Sequence, residues 1–332
     1  MKILFIIQAY DGISSRYRVL QYLPYLEKRG VVQQVITYPK DLMSYIRLCR
    51  EVAAYDVIFF QRKRLPLPLL TFVRQRAKGI VYDFDDAVMY RNKNASSPYS
   101  PTRKRRFARI VKAADHVIAG NTFLYDQARQ YAKQVTVIPT AIDIKKYTPK
   151  NYNKKNTKVT VGWIGSSSTL PYLDHIKGVF EALGERYKHI ELKIICDGFL
   201  DFKNIAVIKK IWNEKDEIED LRSLDIGVMP LTDDPWSRGK CSLKILQYYG
   251  VGLPVICTPV GVNRDVVQDG VTGFWAITHD EWLEKLSVLI EDPLLRKMMG
   301  MRGGELVRES YSLQACAPEF YGVLDEVAQK GI

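Results

Sequence analysis

The sequence holds five cysteines in 332 residues (Cys49, Cys196, Cys241, Cys257 and Cys316), and no two of them form a C-x-x-C pair. Their odd number and wide spacing argue against a disulfide framework and against a cysteine-based zinc site, and point to a reducing, cytoplasmic setting. No stretch approaches the ~18 consecutive apolar residues of a membrane span. The opening run MKILFIIQAY lacks a clear basic leader and a small-residue cleavage site, so it reads as a first strand and not as a secretory signal. Histidines are few: His116, His175, His189 and His279 form no triad-like or metal-like constellation. No G-x-G-x-x-G fingerprint and no Walker A loop is present, so neither a nicotinamide enzyme nor a P-loop ATPase is supported. Repeats at periods of about 20–50 residues and low-complexity tracts are missing as well.

Acidic residues are scarce in the first half. Residues 1–155 carry 29 Lys plus Arg against 11 Asp plus Glu, the remainder carries 20 against 26, and the whole chain is +12. The excess gathers at Arg62-Lys63-Arg64, at Arg74, Arg76 and Lys78, and at Arg103-Lys104-Arg105-Arg106 with Arg109. Such clusters are either solvated helix faces or attractors of polyanions: a phosphorylated substrate, an anionic membrane surface or a nucleic acid. No RNP, zinc-finger or helix-turn-helix pattern accompanies them, so nucleic acid ranks below phosphate and membrane.

What the chain has in quantity is apolar residue, 47% of the total, enough for two sizeable cores at this length. Residues 2–9 form a continuous apolar run, as a strand buried on both faces requires. Further strands are predicted at VVQQVITY, 57–60, 79–84, 116–120 and 134–143, with helices over 17–28, 44–54 and 67–77 between them. A polar tract rich in Lys and Asn at 148–157 is the expected linker. The pattern then repeats: a strand at 158–165, a helix around 173–186, strands at ELKIIC, AVIK and 225–231, and a helix over 241–250. The strands PVICT and GFWA and helices at 280–291 and 293–309 follow, and the segment 317–330 carries an apolar face. Strands alternating with helices imply parallel sheets with right-handed crossovers, an α/β chain of two doubly wound, Rossmann-like domains facing a central cleft. The domain boundaries expected are 1–150, 151–312 and a helical segment 313–332 packing back on the first domain.

In such sheets, ligands bind beyond the carboxyl ends of the strands, where loops meet helix N-termini. Three regions qualify. The first is Gly12-Ile13-Ser14-Ser15 with Arg16 and Arg18. The second is Gly165-Ser166-Ser167-Ser168-Thr169. Each offers backbone N–H groups and hydroxyls to a phosphate, although Gly and Ser are also ordinary turn residues. The third is the long stretch Trp236 to Gly261. Within it, Lys244-x-x-Gln247-Tyr248, Gly252-Leu253-Pro254-Val255-Ile256 and Thr258-Pro259-Val260-Gly261 stand in the order and spacing of a known signature, and Asp265 to Phe274 continues it. Ile138-Pro139-Thr140-Ala141-Ile142-Asp143 and the tail Arg308-x-x-Tyr311-Ser312 add to the set. On these residues the chain resembles the family-4 retaining glycosyltransferases of the GT-B fold, closely over 135–315 and loosely before it.

The resemblance implies transfer of a sugar from a nucleotide-sugar donor, a co-substrate and not a cofactor, to a glycan or lipid-linked acceptor in cell-surface polysaccharide or glycoconjugate synthesis. It implies retention of stereochemistry and no bound metal. Arg238, Gly239, Lys240, Lys244 and Gln247 then belong to the donor site with Gly12, Gly165, Ser166 and Ser167. Ser15, Arg16 and Arg18 belong to the acceptor side. Asp85 and Asp86, in Val81-Tyr82-Asp83-Phe84-Asp85-Asp86, take approximately the place where the family often has His-Asp, and with Lys244 they form the catalytic expectation. Lys240 and Lys244, four residues apart, are expected on one helix face that grips a diphosphate. The chain departs from the family at its paired glutamates, replaced by Gly239 and Gln247, and at the basic pair after the first strand of the donor domain, replaced by the 165–169 loop. Rival readings are a nucleotide-sugar epimerase, a non-catalytic glycan- or membrane-binding protein on a decayed transferase, and a nucleic-acid binder. A cytoplasmic protein, peripheral at the inner face of the membrane, completes the expectation.

Overall fold

The computed structural model describes residues 1–91, 97–152 and 157–331. Of the linker expected at 148–157, residues 153–156 lie outside the described residues, as does residue 332 at the end of the C-terminal segment. In chain order the first part runs β1 (Lys2–Ile7), α1 (Ile13–Arg18), α2 (Leu23–Lys28), β2 (Val32–Thr37), α3 (Leu42–Glu51), β3 (Val57–Gln61) and α4 (Leu67–Arg76). It continues with β4 (Ile80–Phe84), α5 (Pro101–Ala113), β5 (His116–Ala119), α6 (Thr122–Arg129) and β6 (Val135–Val137). The second part runs β7 (Val159–Ile164), α7 (Leu170–Asp174), α8 (Lys177–Arg186), β8 (Ile190–Cys196), β9 (Ala206–Ile211), α9 (Glu217–Arg222), β10 (Ile226–Met229) and α10 (Pro235–Arg238). After these come α11 (Leu243–Gly250), β11 (Val255–Cys257), α12 (Asn263–Val266), β12 (Gly273–Trp275), α13 (His279–Glu291), α14 (Pro293–Ser310) and α15 (Leu313–Lys330).

All strand pairs are parallel, and they form two six-stranded sheets in the orders β2-β1-β3-β4-β5-β6 and β12-β11-β10-β7-β8-β9. The continuous apolar runs follow from burial on both faces. In β1 and β3, Leu4, Ile6, Ile58 and Phe60 face a core built with Leu48 of α3, Val73 of α4 and Ile110 of α5. Their neighbours Ile3, Phe5, Val57 and Phe59 face Tyr22, Leu26 of α2 and Phe320 of α15. There Tyr22 and Phe320 stack with ring centroids 4.4 Å apart, and Phe59 lies 5.6 Å from Phe320. Each sheet changes direction beside its first strand, between β1 and β3 and between β7 and β10. The loops after β1 and β7 therefore adjoin the switch points where ligands of such sheets bind.

The chain divides into two units, one made of Met1–Ala141, Asp234–Cys241 and Leu313–Ile332, the other of Ile142–Asp233 and Ser242–Ser312. The division by sequence differs in two respects. The second unit begins at Ile142, and the eight-residue stretch Asp234–Cys241, assigned to the donor domain from sequence, is packed in the first unit. The physical cause is close backbone contact. Asn121 donates from Nδ2 to the Lys240 carbonyl at 2.9 Å, and Gly239 sits so near Ala87 that a Cβ there would lie 2.6 Å from the alanine methyl. A second correction concerns the helix expected over 241–250. It starts at Leu243, because Ser242 holds a left-handed backbone (φ 53°) and donates from Oγ to Asn263 Oδ1 at 2.6 Å. Lys240 thus lies off α11, and only Lys244 is on it.

Candidate functional site

In the first unit, the ends of β1, β3 and β4 bring charged groups of both signs together. Asp83, next to last in β4, is fully buried and faces the equally buried Arg18 of α1. Arg18 donates to it from Nε at 3.1 Å and from Nη2 at 2.5 Å, and its Nη1 donates to the Ile138 carbonyl at 2.7 Å. Burial pushes the Asp83 carboxyl up to about 6 against the pull of Arg18. Burial also opposes the Arg18 charge, but Asp83 outweighs it and holds the guanidinium above its ordinary range. The pair is therefore ionised at neutral pH.

Just beyond β4, Asp85 and Asp86 are partly buried. Arg62 bridges them: its Nε lies 3.2 Å from Asp85 Oδ1, and its Nη2 pairs with Asp86. Lys240 Nζ pairs with Asp86 Oδ1 at 3.0 Å. Burial would raise the Asp86 carboxyl, but Lys240 and Arg62 outweigh it and hold it below the ordinary carboxylate range. Ser14 donates from Oγ to Asp85 at 2.7 Å. Gln61 in turn donates from Nε2 to Ser14 Oγ at 2.8 Å and accepts from Ser15 Oγ at 2.8 Å. The Cys241 thiol donates to the Asp85 carbonyl at 3.3 Å. The three carboxylates Asp83, Asp85 and Asp86 thus stand against three cations, Arg18, Arg62 and Lys240. Side-chain exposures of 14% and 15% leave Asp85 and Asp86 accessible to a hydroxyl.

This arrangement corrects several sequence assignments. Ser15 and Arg18, expected to bind an acceptor, are buried and committed to Gln61 and Asp83, so they hold the loop in place instead. The Gly12 N–H, expected to serve the donor, donates to the Ala9 carbonyl at 3.3 Å. Lys240 faces Asp86 and not a phosphate-binding helix start. Gly239 is buried and Arg238 exposed, both in the first unit. Arg16 is partly exposed, with its guanidinium 5.0 Å from the Tyr17 ring centroid. Gln61 was missed from sequence. A lone glutamine closing a strand carries no periodic or motif signal.

In the second unit, the end of β7 carries Trp163 and Gly165. The indole is fully buried, and its Nε1 has no hydrogen-bond partner among the described residues. Lys244, in the first turn of α11, holds its Nζ 4.2 Å from the Trp163 ring centroid, within cation–π range. Gly165 covers the outer edge of the same ring, where a Cβ would fall 2.3 Å from Cη2. Tyr248, one turn further along α11, accepts from the Ile164 N–H at 3.0 Å and ties the helix to the strand end. Gln247 is buried on the same helix. The hydroxyl loop is internally bonded: Ser166 N donates to Thr169 Oγ1 at 3.2 Å. Ser167 donates from N (2.6 Å) and from Oγ (2.9 Å) to Asp197. The Ser167 N–H holds the Asp197 carboxyl below its ordinary range. A phosphate at Ser166 or Ser167 would have to displace these bonds. Lys244 is accordingly the sequence-assigned cation that the second unit keeps at the carboxyl end of its sheet.

Two doubly wound parallel sheets of this order define the GT-B class. Residues 160–292 match the family model described as glycosyl transferases group 1, which indicates a transferase. No curated protein sequence matches the chain. Among solved structures, it is similar to sucrose-phosphate synthase from Thermosynechococcus elongatus, at 16% identity with a TM-score of 0.73 over 98% of both chains. It is similar to HepE of Anabaena in complex with UDP and glucose, at 16% identity and a TM-score of 0.72 over 98% of this chain and 100% of that one. A glycosyltransferase from Rickettsia africae matches at 14% identity and a TM-score of 0.71 over 98% of both chains. The chain therefore resembles the GT-B glycosyltransferases in fold from end to end, and in sequence over most of its second unit.

Proposed function

We propose that the protein transfers a sugar from a nucleotide-sugar donor to a hydroxyl of a glycan or lipid-linked acceptor, with retention, in the synthesis of a cell-surface polysaccharide or glycoconjugate. The observation that carries this reading is Lys244, fixed over the Trp163 ring in the first turn of α11 beside Gly165. A cation at a helix start, at the carboxyl end of a parallel sheet, suits a diphosphate leaving group. The structural relatives captured with UDP and UDP-glucose support the same donor class. In this reading the acceptor oxygen bonds to the anomeric carbon as the bond from that carbon to the phosphate oxygen breaks. The acceptor proton passes to the departing phosphate oxygen. Lys244 neutralises the charge that develops there, Asp85 orients the acceptor hydroxyl, and no metal or cofactor takes part. Five free cysteines fit a cytoplasmic setting.

The test is a thermal-shift panel of nucleoside diphosphates and nucleotide sugars on the full chain. A ligand at about 100 times its Kd should add about 2.7 kcal/mol of apparent stability. Asp85→Asn should keep that shift and lose transfer to acceptor. If no nucleotide raises the melting temperature of the wild type, the donor assignment fails. A second reading, a non-catalytic binder on a decayed transferase, is favoured by Gly239 and Gln247 in place of the family's acids. Nucleotide binding without turnover of any donor would select it.

A further inference from the structure

The second unit presents one helix face that sugar transfer does not use. We propose that α14 is the surface through which two copies of this chain pair, antiparallel, about a two-fold axis at Met301. The inner side of α14 is Met299, Gly303 and Val307, and it lies so close on α11 that a Cβ at Gly303 would fall 2.3 Å from the Tyr249 ring. At about 100° per residue, the outer side is then Leu294, Met298, Met301, Glu305 and Arg308. Leu294 is 72% exposed, Met298 50% and Met301 55%. Three large apolar side chains spaced four and three residues apart form a stripe along the helix, unlike singly scattered surface residues.

The charges beside the stripe identify what covers it. Lys297 and Glu305 are exposed, stand four residues either side of Met301, and flank the stripe on opposite edges. A two-fold axis through Met301 brings a position four residues before it opposite the position four residues after it. Lys297 of each copy therefore meets Glu305 of the other, and the pair forms twice, as a self-complementary contact between identical chains requires. Among the described residues, Lys297, Glu305 and Arg308 make no ion pair within the chain, so both signs are open to the second copy. The same operation sets Met298 against Gly304 of the second copy and Leu294 against the aliphatic stem of Arg308. Gly304, Met301 and Lys297 line a cavity of about 540 Å³ together with Ile144 and Tyr147, which gives the incoming Met298 side chain room. Arg302 falls about 100° round the helix from Met301, at the rim, so it does not oppose its own copy. One helix from each copy is a small interface, and the dimer expected is weak and dependent on concentration.

The experiment is sedimentation velocity on the full chain over a range of micromolar concentrations. The wild type should pass reversibly from monomer to dimer as concentration rises. Met298→Asp with Met301→Asp, at exposed positions, should leave a folded monomer. Lys297→Glu alone and Glu305→Lys alone should each raise the dissociation constant of the dimer about tenfold or more. Combined, they should restore it, because the exchanged charges are again complementary. Ile211→Asn, at an exposed apolar position of β9, should change nothing. The place of the axis is read by oxidation with copper–phenanthroline. Met301→Cys should give a disulfide-linked dimer, whereas Leu294→Cys, whose two copies would stand about 21 Å apart along the helices, should not. Circular dichroism and melting temperature confirm that each variant is folded. A wild type that stays monomeric throughout overturns the proposal, as does a dimer that survives the paired aspartates, an exchange of charges that fails to restore it, or an equal loss in the β9 variant. None of these positions belongs to the donor or acceptor site, so the nucleotide panel should read the same in every variant, and the two readings fail separately.

Discussion

The loops after β1 and after β7 hold the same position in two sheets of the same kind, yet they handle charge in opposite ways. The first unit closes its loop with a buried ion pair, Arg18 to Asp83, and lays over it a polar chain from Gln61 through Ser14 to Asp85. Around this loop Asp83, Asp85 and Asp86 pair with Arg18, Arg62 and Lys240. The second unit places a cation, Lys244, 4.2 Å from the centroid of the buried Trp163 ring. Charge cancelled internally makes a rigid platform suited to orienting a hydroxyl. A cation held on an aromatic ring at a helix start suits, in the proposed reading, an incoming diphosphate.

The contrast can be broken most severely at the buried pair. Asp83→Ala strands the Arg18 charge in the core and should cost about 3–5 kcal/mol, read by urea unfolding, while Arg18→Met with Asp83→Leu should recover most of it. A cost of the single variant no larger than that of an exposed substitution would mean that the loop is not held by this pair. Next in size is nucleotide affinity. Lys244→Ala should weaken a nucleoside diphosphate by about 1.5–3 kcal/mol, the range of a hydrogen bond to a charged group, whereas Lys240→Ala should barely change it, because Lys240 faces Asp86. Titration calorimetry on both variants separates them, and equal losses would place Lys240 in the donor site after all. Gly165→Ala should cost about 1–3 kcal/mol by thermal unfolding, since its new methyl would press on the Trp163 ring.

The smallest effect expected is in the response to pH. Burial lowers the His116 pKa below its ordinary 6.5 despite Glu326 nearby. The unfolded chain then binds the proton more readily, so the stability His116 contributes is present above pH 6.5 and is lost as pH falls through the folded-state value. His116→Gln, which can keep the bond to Thr136 Oγ1, should flatten the melting temperature of the first unit across that window. An unchanged slope would show that folding does not shift the His116 pKa.

Periodicity carried most of the fold. Ile3–Ile7 is apolar at every step and Val159–Ile164 is buried at every step, with Thr160 its one polar side chain, because both sheet faces are covered, and each stands where the sequence placed it. The strand expected over 134–143 shrinks to Val135–Val137, since Pro139 removes a donor soon after. The site was less legible. Lys244 and Asp85 could be singled out because they sit in recognisable patterns at strand and helix ends. The Arg18–Asp83 pair was not, since 65 residues separate its members and nothing local links an arginine in a helix to an aspartate in a strand. The shift of Lys240 from helix to loop rests on one left-handed serine, a conformation that composition does not signal.

The return of α15 to the first sheet has a consequence for how the molecule is made. Phe320 and Leu324, from the last stretch of chain, cover the side of β1 and β3 occupied by Phe5 and Phe59. On the ribosome, that face of β1 and β3 must therefore stay open until α15 has emerged, long after the strands themselves. Truncation before Leu313 would leave the first core unfinished while sparing the second sheet.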